Sequence, residues 1–309
     1  MGDMASHDLS SLPPELIDGL GVRSAWPVSG GDIAWAYRLD TADGPLFLKW
    51  RPDASPGLFQ REAAGLQALR AHSGELCVPE VLRESASGLV LEWIESGPSS
   101  STTEADLGRG LAALHRTTNP SFGGLDGVSA GYLGSAQVDL TPTADWPEFF
   151  VERRVRPLID RGIAEGAVPA EARSLIDRLA PRAAELCGPP EPPALVHGDL
   201  WAGNRMVGAG SGASGPDGRG ADGRGTGGRN WLIDPAAHWA HREIDLAMMT
   251  LFGGFGPDGF AAYDEAFPLA EGWRERLRWY QLPPLLVHAI LFGDGYGAEA
   301  LAVLRHYAR

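Results

Sequence analysis

The segment His197-Gly198-Asp199-Leu200-Trp201-Ala202-Gly203-Asn204 sets an aspartate five residues ahead of an asparagine, with apolar residues on either side. Phosphoryl transfer calls for that pair on one tight loop. The carboxylate orients or deprotonates the attacking hydroxyl, and the asparagine reaches Mg²⁺ beside the phosphates. Gly198 and Gly203 would permit the bends. Further along, Trp231-Leu232-Ile233-Asp234 is an apolar strand ending in a second carboxylate, a position from which it can hold Mg²⁺ against phosphate oxygens. Alone, Asp199 and Asn204 fit an ordinary turn, and Asp234 fits a strand-end cap. Together they favour a metal-assisted phosphate site.

The other half of such a site lies upstream. Lys49 ends the strand-like run PLFLKW, whose alternation puts Phe47 and Lys49 on one face. A lysine there can contact the α- and β-phosphates if a carboxylate steadies it, and Glu62 on the next helix is the candidate. Gly30 and Gly31 sit between two strands, where backbone N–H groups could approach phosphates, although a Gly-Gly pair is more often just a hairpin turn. Glu92-Trp93-Ile94 ends a strand and begins a connection whose backbone could bond an adenine edge. The order of these features along the chain is that of kinases.

The elements around them divide into two regions. Residues 8–20 suggest a short helix with Pro13 and Pro14 in its first turn. From Val22 to Trp50 the runs VRSAWPVSG, AWAYRLDT and PLFLKW predict successive antiparallel strands. A helix over Leu58–Leu69 and a strand pair, VLRES and GLVLEWI, complete a small β-rich N-lobe, residues 1–94. The C-lobe, residues 95–309, is predicted mainly helical. Thr103 caps a helix running to about His115, a glycine-rich loop follows, and further helices lie near 146–162 and 168–187. ALVHGDL and NWLID are expected to form a strand pair. The expected architecture is α+β and two-lobed.

The stretches GGDIAWAYRL, FLKW, REAAGLQAL, LVLEWI, HGDLWAGN, IDPAAHWAHREIDLAM, LFGGF and WYQLPPLLVHAILFG resemble the fructosamine-3-kinase, or ketosamine-3-kinase, family, which has a protein-kinase-like fold. The resemblance spans most of the chain from about Gly30 to Gly295. It implies transfer of the ATP γ-phosphoryl group to the 3-hydroxyl of a ketosamine, free or protein-bound. The 3-phosphate then eliminates, releasing the amine and a deoxyosone. It further implies that Asp199 is the base, that Asn204 and Asp234 bind Mg²⁺, and that Lys49 and Glu62 orient the phosphates. Gly30 and Gly31 fall in the phosphate loop, and Glu92, Trp93 and Ile94 in the adenine-binding connector. Trp201, beside the base, suits stacking on sugar or amine with cation–π attraction of about 0.5–2 kcal/mol. His288 is a further substrate contact or a satisfied core histidine. Asp245 is expected to anchor the catalytic loop through backbone hydrogen bonds, with His241 and Arg242 supporting it. Ala240 stands where the family usually has glycine, and the phosphate-loop segment lacks the cysteine some relatives carry.

Composition narrows the partners. The 309 residues carry 26 Lys plus Arg against 40 Asp plus Glu, a net charge of -14. That excludes a duplex nucleic-acid binder and disfavours an anionic membrane surface. No signal peptide or membrane span is evident, and the two cysteines form no metal or disulfide pattern, so a cytoplasmic protein with no obligate protein partner is expected. Glycine occurs 41 times, and ten of these lie in the 21 residues 208–228, an expected disordered insertion without catalytic role. Three other readings remain: a kinase of this fold acting on an aminoglycoside, choline or methylthio-sugar; a metal-dependent hydrolase using His197, Asp199, Asp234, His238 and His241; and an inactive binding protein.

Overall fold

The computed structural model describes residues 8–28, 34–209 and 228–309. Gly30, Gly31 and nearly all of the glycine-rich tract therefore lie outside the described residues. A short helix α1 (Pro14–Ile17) precedes strands β1 (Ser24–Pro27), β2 (Trp35–Asp40) and β3 (Pro45–Trp50). Helix α2 (Leu58–His72) and strands β4 (Val81–Glu84) and β5 (Gly88–Glu92) follow. The five strands form one antiparallel sheet in the order β1-β2-β3-β5-β4. Strand alternation gives this sheet two apolar faces. Leu39, Leu48 and Val90 meet Leu12 and Leu16 on one side, whereas Phe47, Leu89 and Leu91 meet α2 on the other. Lys49 shares the face of Phe47 and so points toward α2.

The C-terminal region is mainly helical. Helix α3 (Thr103–Leu114) leads to a hairpin, β6 (Ala130–Leu133) and β7 (Ala136–Asp139). Helix α4 (Trp146–Glu148) runs through a π-helical segment, Phe149–Val155, into α5 (Arg156–Ala164). Helices α6 (Glu171–Leu179) and α7 (Ala183–Cys187) precede β8 (Ala194–Val196), β9 (Arg205–Gly208), β10 (Arg229–Leu232) and β11 (His238–Ala240). Helices α8 (Glu243–Leu251), α9 (Pro257–Ala266), α10 (Trp273–Tyr280), α11 (Leu282–Phe292) and α12 (Tyr296–Tyr307) complete the chain. No helix among the described residues is long and apolar enough to cross a membrane.

Three expectations are corrected. The runs ALVHGDL and NWLID do not pair with each other: β8 pairs with β11, and β10 with β9. Their apolar character reflects burial from both sides, which carries no information on partner. The glycine-rich loop after α3 contains the β6–β7 hairpin, whose short, small-residue strands lack a strong alternation. Thr103 is the first helical residue and buried, with its hydroxyl accepting from Ser100 N–H, so it does not cap the helix.

One apolar core crosses between the regions. Phe59, Leu66, Leu89 and Leu91 join Leu107, Leu195, Leu200 and Leu232 in a single cluster. The backbone reinforces it, since Cys77 N–H donates to Asn230 O and Leu232 N–H to Cys77 O, each at 2.8–2.9 Å. The sheet is thus fixed to the helical base through α2 and the loop that follows it.

Candidate active site

The loop His197–Asn204 is held from beneath by Asp245 in the first turn of α8. Its two carboxylate oxygens each accept a backbone N–H at 2.8 Å, from His197 and from Gly198. His115, at the end of α3, contacts the same carboxylate at 3.1 Å and is itself bonded to the Tyr263 hydroxyl at 2.8 Å. Burial works against the Asp245 charge, but His115 and the backbone donors outweigh it and hold the carboxyl below its usual range. His197 Nε2 meets Ile233 O at 2.9 Å and its Nδ1 lies 3.3 Å from Asp199 N, the pattern of a neutral ring protonated at Nε2. Gly198 adopts φ 81°, and a Cβ there would lie 2.3 Å from Ala236 O, so only glycine fits. Gly203 serves differently: the Trp201 indole folds over it, with ring atoms 2.2–2.6 Å from where a Cβ would stand.

Five predicted residues converge at this loop: Lys49, Glu62 and Asp234 beside the loop's own Asp199 and Asn204. Lys49 Nζ lies 3.0 Å from Glu62 and 2.9 Å from Asp234. Asn204 donates from Nδ2 to Asp199 O at 2.9 Å and to Asp199 Oδ2 at 3.2 Å. Asp234 has φ 52°, a left-handed backbone that aspartate tolerates better than most residues, and its carboxylate remains half-buried at the cleft. Burial opposes the Lys49 charge, yet Asp234 and Glu62 hold the ammonium above its usual range. One ammonium cannot neutralise three carboxylates. Burial, followed by the charge of Asp234, pushes Asp199 up to about 7, against a weaker opposing bond from Asn204. Burial likewise raises Glu62 to about 6 despite Lys49. The cluster therefore carries unbalanced negative charge on hard oxygen donors, which fits a divalent cation such as Mg²⁺ at Asn204 and Asp234 beside Asp199.

These groups face one cleft of ≈ 900 Å³ between the sheet and the helical base. Val28, Phe47, Leu91, Ile94, Met206 and Ile233 give one half an apolar lining suited to a base. The Glu92 carboxylate is engaged away from that role, bonding Glu80 N–H at 3.2 Å with Arg70 at 3.4 Å. No loop or turn hydrogen bond among the described residues engages the Trp93 or Ile94 backbone. The other half holds Trp201 and His288. His288 Nδ1 bonds Pro284 O at 2.7 Å, and its ring lies against Phe252, Phe292 and Tyr296, so it is both a packed helix histidine and part of the cleft wall.

His241 and Arg242 do not reach the loop. Arg242 bonds Glu191 at 2.7 and 2.8 Å and the carbonyls of Phe267 and Pro268, while His241 stacks on Tyr280. Four contributors escaped sequence reasoning: His115, Arg61 and Asp294 on the cleft, and Arg154. The Arg154 guanidinium is buried in the π-helical segment beside His238 and Gly198, its Nη1 donating no hydrogen bond among the described residues, and burial pushes it down to about 10. A helix-terminal histidine or a lone arginine carries no local sequence signal. Among the described residues no three His, Cys, Asp or Glu side chains converge as a metal-binding group, so the histidine-rich ligand set of a hydrolase does not assemble.

A charged pair from sheet and α2, brought over a loop carrying Asp199 and Asn204 and closed by Asp234, defines a phosphotransferase of the protein-kinase-like fold. An aminoglycoside phosphotransferase crystallised with AMP-PNP and hygromycin B shares that fold, with a TM-score of 0.58 at 15% identity over 95% of this chain and 96% of its own. The chain belongs to the fructosamine kinase family, whose model matches residues 12–309. It is 34% identical over 286 residues to a probable ketoamine kinase of Enterococcus faecium, covering 91% of this chain and 94% of the relative. A chloroplastic protein-ribulosamine 3-kinase of Arabidopsis thaliana is 29% identical, with 91% and 82% covered. A crystal structure from Thermobifida fusca, assigned as a fructosamine-3-kinase, superposes with a TM-score of 0.82 at 36% identity, covering 97% and 99%.

Proposed function

We propose that this protein transfers the γ-phosphoryl group of ATP to the 3-hydroxyl of ketosamines, fructosamine, ribulosamine or erythrulosamine adducts of small amines or proteins. The observation that carries the proposal is the half-buried Asp199 carboxyl, bonded by Asn204 and facing a cleft shared with the Lys49–Glu62–Asp234 cluster. Asp199 accepts the proton of the acceptor hydroxyl as that oxygen attacks phosphorus. With its carboxyl raised to about 7, it is a stronger base than a solvated aspartate and still ionised in a useful fraction at neutral pH. Lys49 orients the nucleotide phosphates while Glu62 keeps its ammonium in place. Asn204 and Asp234 would hold Mg²⁺, which when bound neutralises charge on the phosphate oxygens. By sequence, Gly30 and Gly31, outside the described residues, belong to the phosphate loop, and the backbone of the Glu92, Trp93 and Ile94 connector bonds the base. Trp201 and His288 border the sugar.

The proposed division into an N-lobe, residues 1–94, and a C-lobe, residues 95–309, would set this cleft between them. Elimination of phosphate from C3 and hydrolysis of the remaining conjugate would free the amine, making the reaction a deglycation. Cys77 and Cys187, both buried and not joined in a disulfide, suit the cytoplasm. The test is turnover with ATP and Mg²⁺ across ribose-, erythrose- and glucose-derived ketosamines, an aminoglycoside and choline. Turnover of the ketosamines is expected. Phosphorylation of the aminoglycoside or choline, with none on ketosamines, would replace this reading with another acceptor on the same fold.

A further inference from the structure

The acceptor half of the cleft is walled by a run of rings that begins at the base. Trp201 stands edge-on to Phe252 with centroids 6.1 Å apart. Phe252 lies 5.0 Å from His288, which in turn lies 5.1 Å from Tyr296 and 5.4 Å from Phe292. Phe252 and Phe292 are 40% and 46% exposed, although each has an apolar face to bury. Open aromatic faces along a cleft attract cations through their negative quadrupole as well as apolar surface.

The run ends at Asp294, which lines the same cleft. Gly293, Asp294 and Gly295 have φ of 74°, 40° and 84°, three successive residues with positive φ between α11 and α12. Such backbone is costly for a residue with a side chain, and strain of this kind tends to persist where a side chain must be aimed. Among the described residues the lysine and arginine lining the cleft, Lys49 and Arg61, come from the sheet and α2, and Lys49 is already held by two carboxylates. The wall contributed by α11, α12 and the catalytic loop carries rings and carboxylates without a lysine or arginine.

We propose that Asp294 and these rings form a subsite for the amine-side substituent of the acceptor, favouring ketosamines whose amine bears a second positive charge and disfavouring those that bear a carboxylate. The inference rests on the ketosamine reading and names the class of amine within it. Adducts of a lysine side chain or a diamine place no free carboxylate at this position. Adducts of a free amino acid do.

Three ribulosamines of equal chain length test it: those of cadaverine, pentylamine and 5-aminopentanoate. In low salt, kcat/KM is expected to fall in that order, with the diamine adduct about tenfold above the carboxylate adduct, since a partly exposed charge pair shifts each by a few-fold in opposite directions. Asp294→Asn keeps a residue that accepts the same backbone. In that variant the ratio should shrink to about twofold or less, and added salt should shrink it in the wild type. Equal efficiencies in the wild type would overturn the proposal. So would an unchanged ratio in Asp294→Asn, which would assign the preference to the net charge of -14. Failure of all three ribulosamines alongside turnover of a different acceptor would remove the ketosamine reading itself, and this inference with it.

Discussion

At the scale of single residues, Asp199 trades stability for basicity. Its folded-state carboxyl is raised to about 7 from the 3.8 of an ordinary aspartate. The folded protein therefore holds that proton more tightly than the unfolded chain. The associated stability is complete at pH below the unfolded value and is lost as pH rises through about 7. Asp199→Asn should accordingly stabilise the unliganded protein at pH 8, on the order of 2 kcal/mol or a few degrees in Tm, with the difference fading toward pH 4. The same variant should lose about 10²-fold or more in turnover. Thermal scans across that pH range decide it; a pH-independent difference would show that Asp199 is not held in a strained, charge-rich site. Gly203 makes a second residue-scale case. A Cβ there would meet the Trp201 ring rather than backbone, so Gly203→Ala should swing the indole away and leave the loop intact. We expect the acceptor KM to rise about tenfold with the KM for MgATP little changed, on the typical scale of a displaced aromatic contact. Equal changes in both would place Trp201 outside acceptor binding.

At the scale of elements, helix α2 does two things at once. It supplies Glu62 to Lys49, and Gly65 brings it against the segment after Asp234, where a Cβ would stand 3.2 Å from Ala237 Cβ and 3.3 Å from Pro235 Cγ. Gly65→Val should push the helix off that segment, separate Lys49 from Asp234, and weaken nucleotide binding together with a stability loss of roughly 1–3 kcal/mol. Gly65→Ala should do much less, because neighbours need shift only slightly. Calorimetric titration with nucleotide measures both, and full affinity in the valine variant would show that α2 does not set the Lys49 geometry. Much of this arrangement was legible in the sequence. PLFLKW declared its strand and its Lys49 face by alternation, and the Leu58–Leu69 periodicity declared α2. The pairing partners of β8 and β10 were not legible, since a strand buried on both sides shows an apolar run whatever lies next to it. Nor was the support beneath the loop: Asp245 stood out within a charged motif, but the His115 that buttresses it arrives from α3 and is a tertiary encounter only.

At the scale of the whole molecule, one core runs from the sheet through α2 to β8, β10 and α8, so the cleft opens beside a continuous apolar mass rather than between two independently packed bodies. The glycine-rich tract stands apart from that core in sequence terms. Gly208 and Arg229 are paired across β9 and β10, so the chain on either side of the tract is already joined by strand pairing. Replacing residues 210–227 with a short Asn-Gly turn should leave Tm and kcat/KM unchanged within about twofold, since shortening a loop alters closure entropy only modestly. A large kinetic loss in that deletion would assign the tract a role in substrate handling. The negative charge that excludes polyanionic partners suits the same account, because a cation-dependent phosphate site supplies its own attraction for nucleotide. The central claim concerns which oxygen receives the phosphoryl group. Phosphorus–proton correlation NMR on a ribulosamine, ATP and Mg²⁺ reaction should show phosphate coupled to the sugar H3, absent with Asp199→Asn. Phosphate on another oxygen, or a product that forms equally well in that variant, would contradict it.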